Sequence, residues 1–159
     1  MKVAVYPGSF DPITFGHIDI VKRALKVFDK LYIVISENMS KQSLFTPQER
    51  VLICEEVLSE CLDKIELVVS NELTVKQAKS LGATHIVRGL RALTDFEYEF
   101  QMTGANRILD REIDTIFFMT DNKFSFLSST TVKEIAHFKG DLSAFVPAYV
   151  LQKMNEKLH

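Results

Sequence analysis

Val3-Ala4-Val5-Tyr6-Pro7-Gly8-Ser9-Phe10-Asp11-Pro12-Ile13-Thr14-Phe15-Gly16-His17 begins as a β-branched apolar run, tightens through two prolines and a glycine, and enters a helical pattern. The helix is read from Ile18, Val21, Leu25 and Phe28, which recur at three- and four-residue steps. Strand, rigid loop and helix make the first unit of an alternation. Further short apolar runs lie at residues 31–35, 65–69, 85–87 and 113–119, with amphipathic stretches between them. Such alternation predicts a parallel sheet with helices on both faces. The expected fold is α/β: a Rossmann-like, doubly wound, five-stranded parallel sheet of order 3-2-1-4-5 with C-terminal helices, the last from about Pro147. No repeat, linker or low-complexity tract interrupts it, so residues 1–159 read as a single domain. In such a sheet ligands bind at the carboxyl ends of the strands, where the strand order reverses.

Helix starts are marked by Thr46-Pro47-Gln48-Glu49, a capping box with proline at the first helical position. Thr74-Val75-Lys76-Gln77 and Thr94-Asp95-Phe96-Glu97 read as two more boxes, and Gly82 and Gly140 as helix stops.

Composition narrows the function. With 47 % hydrophobic and 25 % charged residues the chain reads as a soluble globule. No apolar run approaches the ~20 residues of a membrane span, and the N-terminus shows no secretory pattern. A net charge of −2 argues against binding nucleic acid. Cys54 and Cys61 lie seven apart in a helical segment. Two helical turns separate them by ~10 Å, beyond disulfide reach, so both read as buried structural thiols in a reducing cytoplasm. The phosphate loop Gly-x-x-x-x-Gly-Lys-Ser/Thr is missing, as are a dinucleotide fingerprint, a serine elbow and zinc-ligand spacing.

Four stretches carry the chemistry. His17 falls in the first turn of the first helix, beside unpaired N–H groups that attract anions. It reads either as a capping or surface residue or as a ligand of that site. Arg88-Gly89-Leu90-Arg91 follows the fourth strand, and guanidinium groups there suit phosphate oxygens. Lys41 sits amid small polar residues after the second strand. Asp121-Asn122-Lys123-Phe124-Ser125-Phe126-Leu127-Ser128-Ser129-Thr130-Thr131 brings five hydroxyl residues to a helix entry, where one suffices for a cap. Asp95 and Glu97 fit helix-start preferences, and Phe96 and Phe100 read as core. Cations without a nucleophile or base suit direct transfer between two phosphorylated substrates.

These residues also carry a resemblance. The segment from Tyr6 to His17, with Thr14-Phe15-Gly16-His17, resembles the Thr/His-x-Gly-His signature of the nucleotidyltransferase superfamily. Together with Arg88-Gly89-Leu90-Arg91, Asp95-Phe96-Glu97-Tyr98-Glu99 and the run from Ser125 to Glu134, it resembles the bacterial phosphopantetheine adenylyltransferase family, in order and along most of the chain. The resemblance implies transfer of the adenylyl group of ATP to 4′-phosphopantetheine, with Mg²⁺, giving dephospho-coenzyme A and pyrophosphate. It makes His17 the transition-state stabiliser, with Lys41 and Arg91 also catalytic. It assigns ATP contacts to Ser9, Phe10, His17, Gly89, Leu90, Arg91, Glu99, Phe124, Ser125, Phe126, Leu127, Ser128, Ser129 and Thr130, and acceptor contacts to Ser9, Lys41, Thr74 and Arg88. No protein ligand to a metal is implied. A cytoplasmic homohexamer, a dimer of trimers, with feedback binding of coenzyme A, is implied as well. Ser9 and Thr130 keep a hydroxyl where the family has threonine and serine, whereas Thr74 stands where larger apolar residues are usual.

Three rivals stay open on sequence: a sister nucleotidyltransferase with another phosphate acceptor, a class I aminoacyl-tRNA synthetase fragment, and a nucleotide sensor without catalysis. The Arg-Gly-Leu-Arg and Asp-Phe-Glu-Tyr-Glu stretches argue against the first, and the lack of a basic surplus against the second.

Overall fold

The computed structural model describes residues 1–37, 40 and 42–159, of which 93 and 94 by backbone alone. Five strands, β1 (Val3–Gly8), β2 (Lys30–Ser36), β3 (Ile65–Ser70), β4 (His85–Leu90) and β5 (Asp114–Met119), form one parallel sheet of order β3-β2-β1-β4-β5. Its helices are α1 (Phe15–Ala24), α2 (Pro47–Val57), α3 (Thr74–Ser80), α4 (Leu93–Leu109), α5 (Ser129–His137) and α6 (Ala148–Leu158). The expected architecture and strand order are therefore those observed. The larger core lies between one face of the sheet and α1, α2, α5 and α6, around Ile20, Val21, Leu31, Ile33, Val87, Val132 and Val150. A smaller one, with Val75, Ala78, Ile86 and Ile113, holds α3 on the other face.

The register of β1 creates the site. It pairs with β2 along its whole length, to Gly8↔Ile35, but with β4 only at Ala4↔His85 and Val5↔Ile86. Beyond Val5 the two central strands part, while β4 stays paired with β5 to Leu90↔Met119. The carboxyl ends of β1 and β4 thus form two lips of a gap at the switch point. Both strands run further than the apolar pattern suggested, so Arg88, Gly89 and Leu90 close β4 rather than begin a loop.

Local signals were partly misread. Thr46 caps α2 as a full capping box. α3 instead begins at Thr74 itself, with no side-chain cap, and Gln77 accepts from the Ser70 hydroxyl at 2.8 Å. α4 starts at Leu93 behind Ala92, placing Thr94 inside the first turn. Lys139, not Gly140, takes the left-handed conformation after α5 (φ +58°). Gly140 must be small for another reason: a Cβ there would lie 2.6 Å from Ile135 Cγ2. Phe96 and Phe100 stack on each other but are 51 % and 69 % exposed, so they are surface rather than core. Both thiols are free, and Cys61 is only half-buried.

Gly82 does end α3, at φ +68° with open space around it. Gly82→Ala should therefore cost only the backbone term, about 1 kcal/mol, or ~2–4 °C in Tm, and Gly82→Asn less. Equal melting of all three proteins by calorimetry would show that the turn relaxes.

Candidate active site

A cleft of about 420 Å³ opens where β1 and β4 part. Of the residues assigned by resemblance, the cleft gathers Ser9, His17, Arg88, Gly89, Arg91, Glu99, Phe124, Leu127, Ser128, Ser129 and Thr130. Phe10 lies beneath it, buried, and Leu90 is in the core. Ser125 turns its hydroxyl to the Asn122 carbonyl, and Phe126 is 91 % exposed. Thr74, half-buried at the start of α3, is not in the lining, and Lys41 lies outside the described residues. The lining adds Tyr6, Thr14, Ile20, Asp95, Tyr98 and Thr120, which had carried no site assignment.

His17 turns out to be both a cap and a member of the cleft. The Thr14 side chain accepts from the His17 N–H, and His17 Nδ1 accepts from the Thr14 N–H at 3.0 Å. This is a capping box with histidine in the place usually held by glutamate. An accepting Nδ1 puts the ring proton on Nε2. The ring lies against buried Phe10, centroids 4.9 Å apart, and Phe10 is itself held in the left-handed region at φ +47°. Burial, reinforced by the cations of Arg91 and Arg88, lowers the His17 pKa from 6.5 to about 4. At neutral pH the imidazole is uncharged and keeps one N–H to donate.

Arg88 rises from β4 into the gap. Nη1 donates to the Pro7 carbonyl of β1 at 2.9 Å, while Nε and Nη2 donate to the Glu99 carboxylate on α4. Burial opposes the guanidinium charge, but the bonds to Glu99 outweigh it and the pKa is raised. Glu99 is 6 % exposed, so Arg88 is its necessary partner. Arg91 is tied less firmly, to Asp95 at 2.9 Å and to the Leu127 carbonyl at 3.1 Å. Side chains Asp95 and Glu99, one turn apart on α4, each hold one of the two guanidinium groups of the cleft.

The hydroxyl run divides its work. Ser128 caps α5 by accepting from the Thr131 N–H, and its hydroxyl bonds that of Thr131. Ser129 donates to the Pro12 carbonyl at 2.8 Å, fastening α5 to the loop after β1. Thr130 is left exposed at the mouth. Residues 128–130 at the start of α5 and Gly16 and His17 at the start of α1 all line the cleft, so two helix N-termini border one space, although the Phe15, His17 and Thr131 N–H groups are taken by the Phe145 carbonyl and the Thr14 and Ser128 side chains. Gly89 lets α1 approach β4: a Cβ there would sit 3.2 Å from Ile20 Cγ1.

Among the described residues that line the cleft, none is a cysteine or lysine, and no hydroxyl is paired with a free base. Burial pushes the Tyr6 phenol well above its ordinary value, keeping it protonated. Cys54, buried on α2, is pushed up to about 12. What the cleft offers is two guanidinium groups, each paired with a carboxylate, two helix ends and oriented donors.

Fold and cleft together define a Rossmann-like nucleotidyltransferase. The profile of the cytidylyltransferase-like family matches residues 5–135. A phosphopantetheine adenylyltransferase of Lachnoclostridium phytofermentans is 49 % identical over 157 residues, covering 99 % of this chain and 96 % of that protein. Another, from Alkaliphilus metalliredigens, is 48 % identical, covering 99 % of both. In fold the chain is similar to the solved nicotinic acid mononucleotide adenylyltransferase of Plasmodium falciparum, with a TM-score of 0.68 at 15 % identity over 96 % of this chain and 95 % of that one. Within the cytidylyltransferase-like group the chain belongs to the phosphopantetheine adenylyltransferase family.

The depressed pKa of His17 has a sign. The unfolded histidine binds its proton near pH 6.5 and the folded one only near 4, so stability from this group is full above 6.5 and is lost as pH falls towards 4. Between pH 7 and 5 the protein should lose up to about 2 kcal/mol that His17→Gln does not lose. Parallel stability curves in urea across that range would remove the shift.

Proposed function

We infer that the chain transfers the adenylyl group of ATP to 4′-phosphopantetheine, forming 3′-dephospho-coenzyme A and releasing pyrophosphate. The observation that carries this is the convergence of Arg88, Arg91, a neutral His17 and two helix N-termini on one cleft without a nucleophilic side chain. An acceptor phosphate oxygen attacks the α-phosphorus of ATP. The new P–O bond forms as the bond to the bridging oxygen of the β-phosphate breaks, and pyrophosphate leaves with that electron pair. The nucleophile is already an anion, so no base is needed. The obstacle is bringing two polyanions together, which positioned donors and cations lower.

On this reading His17 donates Nε2–H to the α-phosphate. Arg88 faces the acceptor phosphate together with Lys41 and Ser9, and Arg91 faces the departing pyrophosphate with the N-terminus of α5. Being neutral, His17 helps as a donor without titrating in the working range. The cleft carboxylates Asp95 and Glu99 are committed to Arg91 and Arg88, which suits Mg²⁺ held by phosphate oxygens and water. When bound, the ion would screen the triphosphate charge.

A homohexamer in the cytoplasm is part of the proposal. Tyr98, Phe100, Ile108 and Leu109 of α4 and Met119 of β5 are more than half exposed. Apolar surface of this kind marks an interface. Among the described residues no helix is long and apolar enough to cross a membrane. Coenzyme A shares its adenylyl and pantetheine groups with the product and so suits the same cleft as a feedback ligand. Sedimentation of the chain as a monomer would sink the assembly.

Pyrophosphate release with ATP and Mg²⁺ is expected with 4′-phosphopantetheine and not with nicotinamide mononucleotide, glycerol 3-phosphate or no acceptor. His17→Ala should cut turnover about 10²–10³-fold with the fold intact. Release with a different acceptor alone, or ATP binding without release, would overturn the assignment.

A further inference from the structure

Two charged side chains that the reaction above does not use are almost wholly buried beside the cleft. Arg50, in the first turns of α2, and Asp11, in the loop after β1, are each 2 % exposed. Arg50 Nη1 donates to the carbonyls of Ser9 at 2.9 Å and Ser36 at 3.2 Å, and its Nε to that of Phe45 at 3.1 Å. These carbonyls belong to three separate segments: the loop after β1, the end of β2 and the approach to α2. Asp11 grips the same approach from the other side. Its carboxylate accepts from the Leu44 and Phe45 N–H groups, both at 2.9 Å, and from Lys133 of α5 at 3.2 Å. Phe45 is thus held at both its N–H and its carbonyl by buried charges.

Burying such groups is expensive unless every polar atom is matched. A fold that needed only to close a loop could use apolar packing instead. What the arrangement fixes is backbone. Ser9, held through its carbonyl by Arg50, lines the cleft, and no sheet ladder reaches it beyond Gly8. The rigid fork of Arg50 suits this task because its donors diverge in one plane.

We propose that Arg50 and Asp11 are positioning residues for the acceptor: they fix the main chain of the loop after β1, which brings Ser9 to the cleft, and tie it to the end of β2 and the approach to α2. This rests on the adenylyltransferase reading above. The opposite side, made by the end of β4, α1 and the N-terminus of α5, is reached by Asp11 through Lys133 but not by Arg50. Ser9 is assigned to both substrates, whereas the segment of chain between Ser36 and Phe45, whose two ends Arg50 holds, carries Lys41, assigned to the acceptor alone, so loosening Arg50 affects the acceptor more.

The test is steady-state kinetics of Arg50→Lys, which keeps the charge and loses the fork. KM for 4′-phosphopantetheine should rise about tenfold or more and kcat fall, while KM for ATP stays within about twofold. If Arg50→Lys does not fold, Asp11→Asn, which keeps the shape of the side chain, should show the same bias towards the acceptor, and Lys133→Met, which removes only the α5 contact of Asp11, should not. Equal changes in both KM values, or a lowered Tm with unchanged kinetics, would overturn the positioning role and leave the adenylyltransferase reading intact. A wild-type protein that releases no pyrophosphate with 4′-phosphopantetheine would overturn both.

Discussion

The parting of β1 from β4 after two paired residues is the constraint on which the cleft depends. Parallel neighbours normally stay hydrogen-bonded to their ends, and a gap between central strands leaves backbone groups without partners. Arg88 answers part of that need by giving one donor to the Pro7 carbonyl. Its remaining donors go to Glu99, which ties the gap to α4. One guanidinium thus bridges β1, β4 and α4. Opening the sheet at this point exposes the starts of α1 and α5 to the same volume, so the anion site arises from topology before any side chain is chosen.

Side chains then refine what topology supplies. His17 could have been protonated and so added another cation. The structure instead spends Nδ1 on the helix cap and buries the ring against Phe10 beside two arginines. The outcome is a directional donor whose charge does not change around neutral pH. His17 read on sequence as either a cap or a ligand; it caps α1, and the same bond aims its ring along the wall of the cleft. Much of the hydroxyl run after β5 works similarly: Ser128 caps α5 and Ser129 fastens it to the loop after β1, which sets the helix start at the cleft.

Legibility in the sequence followed the range of each signal. The alternation of strands and helices and the Thr46 cap were readable because both depend on residues close in the chain, and the strand order followed from the doubly wound class that the alternation implies. The ends of β1 and β4 were not, since Pro7, Gly8, Arg88 and Gly89 look like loop until a neighbouring strand pairs with them. Thr74 and Thr94 fit the capping pattern, but Leu73 and Ala92 occupy the caps, because the approach of each chain segment to the sheet sets where the helix begins. Phe96 and Phe100 show the limit of periodicity: spacing reveals an apolar face but not what covers it. Asp95 and Glu99, discounted or assigned to ligand on sequence, are visible as partners of Arg91 and Arg88 only once α4 is placed beside β4.

Asp11 and Arg50 were the least legible, and the reason is physical. Charged residues in a loop and on a helix are nearly always solvated, so nothing local marks these two as buried. Their partners are mostly main-chain atoms, which carry no residue identity to read. The same fact explains why charge is used there at all. The loop after β1 leaves the sheet where ladder bonds end, yet it carries Ser9 to the wall of the cleft. Apolar packing would exclude water but leave the amides and carbonyls of residues 9, 36, 44 and 45 unmatched. A buried carboxylate and a buried guanidinium match them at once, and in doing so tie the loop after β1 to the end of β2 and to the start of α2.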